Sequence, residues 1–173
     1  MQIPYYCAAE QVFNPSLRSK PLIILSNNDG CVVACNRLTK EAGVNKFLLY
    51  FQVREICERK GVNVRSSNYE LYHDLSSKMM SIITRYSETF YVYSVDECFL
   101  NFKQYEKLLC LESTGAQIRK AVWKEARLAV CVGMGRTLTL SKIANHVAKQ
   151  DKERAGVCVL RAEIEEREAL AQL

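Results

Sequence analysis

Four consecutive residues, Ser94-Val95-Asp96-Glu97, form the most reactive grouping in the chain. Two adjacent carboxylates between the apolar runs 90–93 and 99–102 repel each other and are costly to desolvate. A divalent cation removes that penalty, and carboxylate oxygens are what Mg²⁺ prefers. The same dipeptide suits an acidic hairpin turn in water, and on its own it favours that plainer reading. Cations gather further along. Residues 115–154 carry nine Lys/Arg (Arg119, Lys120, Lys124, Arg127, Arg136, Lys142, Lys149, Lys152, Arg154) against three acids (Glu125, Asp151, Glu153), so this stretch alone carries +6 of a net +5 and the rest of the chain sums to −1. Such a block suits a polyanion, either nucleic acid or a triphosphate. A solvated helix face accounts for it equally well.

The elements that must position these groups follow from spacing. Residues 21–25 and 31–35 are short apolar strands joined by Asn27-Asn28-Asp29-Gly30, a hairpin signal. Asn36 can cap a short helix ending at Gly43. Helix is expected over 47–60, a brief strand over 62–65, and a longer helix from Ser66-Ser67-Asn68 to Tyr86 with Leu71, Leu75, Met79 and Ile82 on one face. The pattern then predicts strands at 90–93 and 99–102, a helix at 115–127 and a buried strand at 128–132 closed by Gly133-Met134-Gly135. Leu140, Ile143, Ala144, Val147 and Ala148 make the clearest amphipathic stripe, with Lys142, Asn145, His146 and Lys149 on the other side. A strand at 157–160 and a Glu-rich helix from about 162 complete the series. The mixture implies an α+β fold of split βαβ, ferredoxin-like type, with roughly 7–70 as a separate lobe.

A chain of 173 residues, 49% hydrophobic and 25% charged with 7 Gly and 3 Pro, is one domain's worth and can bury a real core. Disordered, collagenous and low-complexity classes are excluded. The densest apolar run, Phe47-Leu48-Leu49-Tyr50-Phe51, is far short of the ~18 residues of a membrane span. Without a secretory signal, a cytoplasmic location away from membranes is expected. The eight cysteines show no Cys-x-x-Cys, and His73 and His146 are far apart, so the thiols read as reduced small hydrophobes.

Several motifs together resemble the Y-family translesion DNA polymerases, in particular their UmuC branch. They are Ser26-Asn27-Asn28-Asp29-Gly30-Cys31-Val32-Val33-Ala34, Ser66-Ser67-Asn68-Tyr69-Glu70-Leu71-Tyr72, Tyr93-Ser94-Val95-Asp96-Glu97 and Lys142-Ile143-Ala144-Asn145-His146-Val147-Ala148-Lys149. Order and spacing agree from about Tyr5 to the end. The resemblance implies a polymerase palm at about 1–6 plus 75–173 with a small fingers lobe inserted at about 7–74. It makes Asp96 and Glu97 the Mg²⁺-binding, catalytic pair of a two-metal nucleotidyl transfer. Tyr6 becomes the steric gate against the sugar, and Lys40 and Lys149 the triphosphate contacts. Arg136 and Lys142 are further DNA or phosphate candidates. The implied partners are primer–template DNA and a dNTP, with a UmuD-like subunit and a RecA filament.

Departures from the pattern shape the expectation. The family's first strand carries Asp-x-Asn, and those positions fall on Met1 and Ile3. The thumb and little-finger domains have no counterpart in these 173 residues. Cys35, the run Arg37-Leu38-Thr39 and His73 also differ from the family's usual residues. The reading is therefore a truncated UmuC-like product, inactive alone in error-prone SOS synthesis, with a non-catalytic remnant that binds DNA or an SOS partner as the alternative.

Overall fold

The computed structural model describes residues 4–28, 30–103, 105, 108–151 and 153–171. The chain divides into two compact units, one reaching to Leu75 and the other beginning at Ser76.

The first unit opens with helix α1 (Tyr5–Phe13) and a 3₁₀ turn (Pro15–Leu17), followed by β1 (Leu22–Leu25), β2 (Val32–Cys35), α2 (Arg37–Glu41), α3 (Tyr50–Arg59) and β3 (Asn63–Ser66). The three strands form one sheet in the order β2-β1-β3, with β1 antiparallel to β2 and parallel to β3. A central strand is covered on both faces, which is why Leu22, Ile23 and Ile24 form an unbroken apolar run and are wholly buried. Asn36 fixes the exit from β2. Its amide donates to Lys20 O (2.7 Å), while its Oδ1 accepts from the N–H groups of Leu22 (3.2 Å) and Thr39 (3.1 Å). One side chain therefore caps α2 and ties it to β1. Helix α3 starts at Tyr50, three residues later than the sequence suggests. The residues before it pair with β2 instead, through Phe47 N–H to Val32 O (2.8 Å) and Val32 N–H to Leu48 O (2.9 Å).

Helix α4 (Tyr69–Ile83) is capped by Asn68, whose Oδ1 accepts from Leu71 N–H (3.1 Å), and the boundary between the units falls within it. The second unit continues with a 3₁₀ turn (Thr84–Tyr86), β4 (Phe90–Val92), β5 (Cys98–Leu100), α5 (Leu111–Ala126), β6 (Val132–Met134), α6 (Leu138–Gln150), β7 (Val157–Val159) and α7 (Glu163–Leu170). Its described strands form two pairs: the antiparallel β4–β5 hairpin and the parallel β6–β7 pair, with α6 as crossover. Ile143, Ala144, Val147 and Ala148 of α6 bury their stripe against Cys158, Leu160 and Ala169. That contact requires Gly133, because a Cβ there would lie 2.0 Å from the Asn145 backbone nitrogen. The architecture is α+β.

One strand differs from expectation. The apolar run 128–132 pairs only from Val132 onward, since its partner β7 spans three residues matching Val132–Met134. Leu128 is buried without joining a ladder. Helix α5 begins at Leu111, so Gly115 is inside the helix. It is needed there because a Cβ would meet Val157 Cγ1 at 2.7 Å. No helix among the described residues is long and apolar enough to cross a membrane.

Candidate functional site

Pairing of Tyr91 with Phe99 and Val92 with Cys98 leaves residues 93–97 to close the β4–β5 hairpin. The N–H groups of Tyr93 and Ser94 both donate to Glu97 O (3.0 and 3.1 Å), which holds the loop tight. Ser94 Oγ donates to Asp96 Oδ1 (2.9 Å) and so orients the exposed Asp96 carboxylate. Glu97 points elsewhere, toward α6. Its Oε2 accepts from Lys142 Nζ at 3.0 Å, and the same ammonium lies 4.3 Å from the Tyr93 ring centroid. The bond to Glu97 raises the Lys142 pKa above its ordinary value. Next to this pair is a cavity of about 330 Å³ lined by Tyr91, Tyr93, Phe99, Leu138, Lys142 and His146.

The local chemistry is that of two carboxylates of unequal freedom. Asp96 presents its oxygens to solvent, while Glu97 already holds a cation. Among the described residues no three His, Cys, Asp or Glu side chains come together as a metal cluster. Both residues carry the carboxylate oxygens that Mg²⁺ takes, but with Lys142 on Glu97 only Asp96 offers them to solvent. They do not make a two-ion centre by themselves. Met1 and Ile3, where the missing Asp-x-Asn would fall, lie outside the described residues, as does Lys152 of the basic block.

The other expected site residues lie on different elements, Tyr6 and Lys40 in the first unit and Arg136 and Lys149 in the second. Tyr6, on α1, stacks on Tyr72 (centroids 4.6 Å apart, planes 19° apart) and meets Tyr5 and Tyr69 edge-on. The Tyr5 hydroxyl donates to Tyr72 O (2.7 Å), and the Tyr72 hydroxyl to Glu10 Oε1 (2.9 Å). Burial pushes the Tyr72 phenol above its usual range. Tyr69 and Tyr72 sit three apart on α4, a same-face spacing that would have signalled their shared role around Tyr6. Lys40 is exposed on α2, and Lys149 is half-buried in the last turn of α6.

Several basic residues that looked available for a polyanion are engaged within the second unit. Arg136 forms a two-pronged pair with Glu166 (Nε–Oε1 and Nη2–Oε2, both 2.9 Å), which lowers the Glu166 carboxyl pKa. Arg119 bonds the carbonyls of Val130 and Ala155, and Arg154 pairs with Asp151. The thiols of Cys7, Cys35, Cys57 and Cys158 are buried, and burial pushes Cys7 up to about 12.

Comparison with known proteins sets this geometry in a family. The model of the impB/mucB/samB family matches residues 4–146. The protein UmuC of Salmonella typhimurium is 40% identical over 146 residues, which are 84% of this chain and 35% of that protein. The protein ImpB of the same organism is 38% identical over 159 residues, 92% of this chain and 38% of that one. The chain thus spans little more than a third of the curated relatives it matches. Among solved structures, DinB from Sulfolobus solfataricus shares the fold with a TM-score of 0.77 at 22% identity, over 92% of this chain and 46% of that one. Matched by the family model over most of its length, and carrying the tight acidic hairpin against a basic helix, the chain belongs to the impB/mucB/samB family.

Proposed function

We propose that this chain is the palm-and-fingers part of an error-prone translesion DNA polymerase of the UmuC kind. The palm would comprise about 1–6 plus 75–173, and the fingers about 7–74. The observation that carries the reading is the Asp96–Glu97 turn, held open to solvent at the tip of a hairpin with the Lys142 ammonium on Glu97. A cation of the protein already occupies one carboxylate, and a divalent ion would replace it. Such an ion, when bound, supplies positive charge to a triphosphate.

The remaining roles belong to the chain's own side chains. Lys40 and Lys149 meet the phosphates, where fixed cations stabilise developing negative charge. Tyr6, made rigid by its stack on Tyr72, presents a ring edge against the sugar. Lys142, displaced from Glu97, becomes available to a phosphate. Arg136, paired with Glu166 of α7 but with its side chain 59% exposed, is a further DNA or phosphate candidate. Primer–template DNA and a dNTP are the substrates. A UmuD-like subunit and a RecA filament are the partners that the family implies.

The 173-residue polypeptide by itself should not extend a primer, because Asp96 and Glu97 would have to hold the ions without the third carboxylate that the resemblance implies at the position of Met1. The alternative is a non-catalytic binding role, in which the Lys142–Glu97 pair stays closed. Single-nucleotide extension on a lesion-containing template with Mn²⁺ separates the two. The comparison is between the chain alone, the chain with an Asp-x-Asn strand placed before Pro4, and that chimera joined to a relative's thumb and little finger. The polymerase reading expects extension only from the complete chimera, abolished by Asp96→Ala/Glu97→Ala. Robust extension by the chain alone, or extension indifferent to those substitutions, would overturn it.

A further inference from the structure

The cavity beside the acidic turn has chemistry that the proposed function leaves unused. One of its walls is aromatic. Tyr93 meets Tyr91 edge-on (centroids 6.3 Å apart) and Phe99 edge-on (5.8 Å), so three rings form a continuous surface on the hairpin. Tyr91 is 59% and Tyr93 54% exposed, an apolar area large enough to gain from a cover. The other wall is α6. Leu138, Lys142 and His146 follow one another there at four-residue spacing, share one face of the helix and all line the cavity. The stripe of Ala144, Val147 and Ala148, buried against Cys158, Leu160 and Ala169, is a separate face. At about 330 Å³ the space is at the small end of ligand pockets, which suits a molecule of one or two rings.

The polar groups narrow the class of guest. Among the described residues that line the cavity there is no carboxylate, while Lys142 and His146 both bring ring or ammonium nitrogens to it. A cationic guest is opposed, because the Lys142 ammonium already lies 4.3 Å from the Tyr93 ring centroid, where such a guest would sit. A neutral guest gains from the rings alone. A planar aromatic acid gains twice, from edge-to-face or offset contact with the three rings and from a charge-assisted hydrogen bond to Lys142.

We infer that this cavity binds a small planar aromatic carboxylate, its ring against Tyr91, Tyr93 and Phe99 and its acid group on Lys142. Because Lys142 Nζ already bonds Glu97 Oε2 at 3.0 Å, the guest competes with Glu97 for that ammonium. A Glu97 released in this way adds its free carboxylate to that of Asp96. The guest therefore tightens the binding of a divalent cation at the turn, and the cation tightens the guest by the same factor. This coupling rests on the proposed reception of a cation at Asp96 and Glu97. The cavity itself needs neither metal nor dNTP, so the two can fail separately.

The test is a ligand-observed NMR titration of the full chain in EDTA with naphthalene-1-carboxylate, set against naphthalene-1-carboxamide, which keeps the rings and drops the charge. The acid should bind saturably and about two- to fivefold more tightly than the amide, the range of a partly exposed ion pair. Lys142→Met should remove that preference and leave the amide unchanged. Leu138→Trp, made at a position 59% exposed so that the fold persists, fills the space and should weaken both ligands by about tenfold, with a thermal melt verifying the fold of each variant. Repeated with Mn²⁺, the parent should bind the acid about two- to fivefold more tightly than in EDTA. The inference is overturned if the acid does not bind in EDTA, if the amide binds as well as the acid, if Lys142→Met keeps the preference, or if Leu138→Trp binds both ligands as the parent does. Acid binding with the expected variant pattern but no response to Mn²⁺ sustains the cavity and counts against a cation at the turn.

Discussion

The two units differ in how their strands are protected. In the first unit β1 is flanked by strands on both sides and its residues 22–24 are wholly buried. In the second, the β4 residues Phe90, Tyr91 and Val92 are 46–59% exposed, and each described strand has only one partner. A two-stranded ribbon is marginal by itself, and the hairpin bearing Asp96 and Glu97 is braced at its tip by α6, through Glu97 and Tyr93 on Lys142, and at its base by Ser87 Oγ on Asn101 O (2.8 Å). The contrast teaches that the chemistry-bearing turn sits on the less self-sufficient frame, while the inserted lobe carries a closed core of its own. Low local stability is common where ligands must be admitted.

The sharpest way to break this comparison is to cut each frame in turn. Ile23→Ala should cost about 4 kcal/mol, since a fully buried side chain leaves a cavity in the closed sheet. Val92→Ala, half-exposed on the hairpin, should cost less than about 0.5 kcal/mol. Urea unfolding read by hydrogen exchange tests both, with β1 amides protected far longer than β4 amides in the parent. Equal protection would erase the distinction. Gly133→Ala comes next, at roughly 3 kcal/mol, because the added methyl collides with α6 backbone that has no side chain to swing away. Its melt should lose the second unit's signals first.

Much of this was legible beforehand, for local reasons. The 140–148 stripe, the Asn36 and Asn68 caps and the β1–β2 hairpin each follow from nearest-neighbour chemistry, and each is where the pattern placed it. What escaped depended on partners far along the chain. The strand at 132–134 is set by β7, and Gly115 inside α5 by Val157. Lys142 and Arg136 look alike in sequence as free cations in a basic block. Only the fold brings them to Glu97 and Glu166, across 45 and 30 residues of chain. The Asp96–Glu97 turn was visible as a place, but its internal asymmetry was not.

Smaller effects sharpen the electrostatic side. Lys142→Met frees Glu97 and should tighten Mn²⁺ binding about two- to fivefold, the range expected for a partly exposed pair. No change would mean that Lys142 does not compete with a cation there. The smallest effect concerns Arg136 and Glu166. Because Arg136 depresses the folded-state pKa of Glu166 below 4.5, their stabilisation is present at neutral pH and is lost as pH falls through that lowered value. The melting difference between the parent and Arg136→Met should therefore close on acidification. A difference that persists at low pH would assign the effect of Arg136 to packing.

Reception of a divalent cation at the Asp96–Glu97 turn is what the proposed function requires first. The most direct measurement is water-proton relaxation during Mn²⁺ titration of the full chain, set against Asp96→Asn/Glu97→Gln, which keeps shape and removes charge. Weak, saturable binding is expected in the parent, strengthened by a dNTP and lost in the double variant. Binding of the same strength in both proteins would place the cation elsewhere and contradict it.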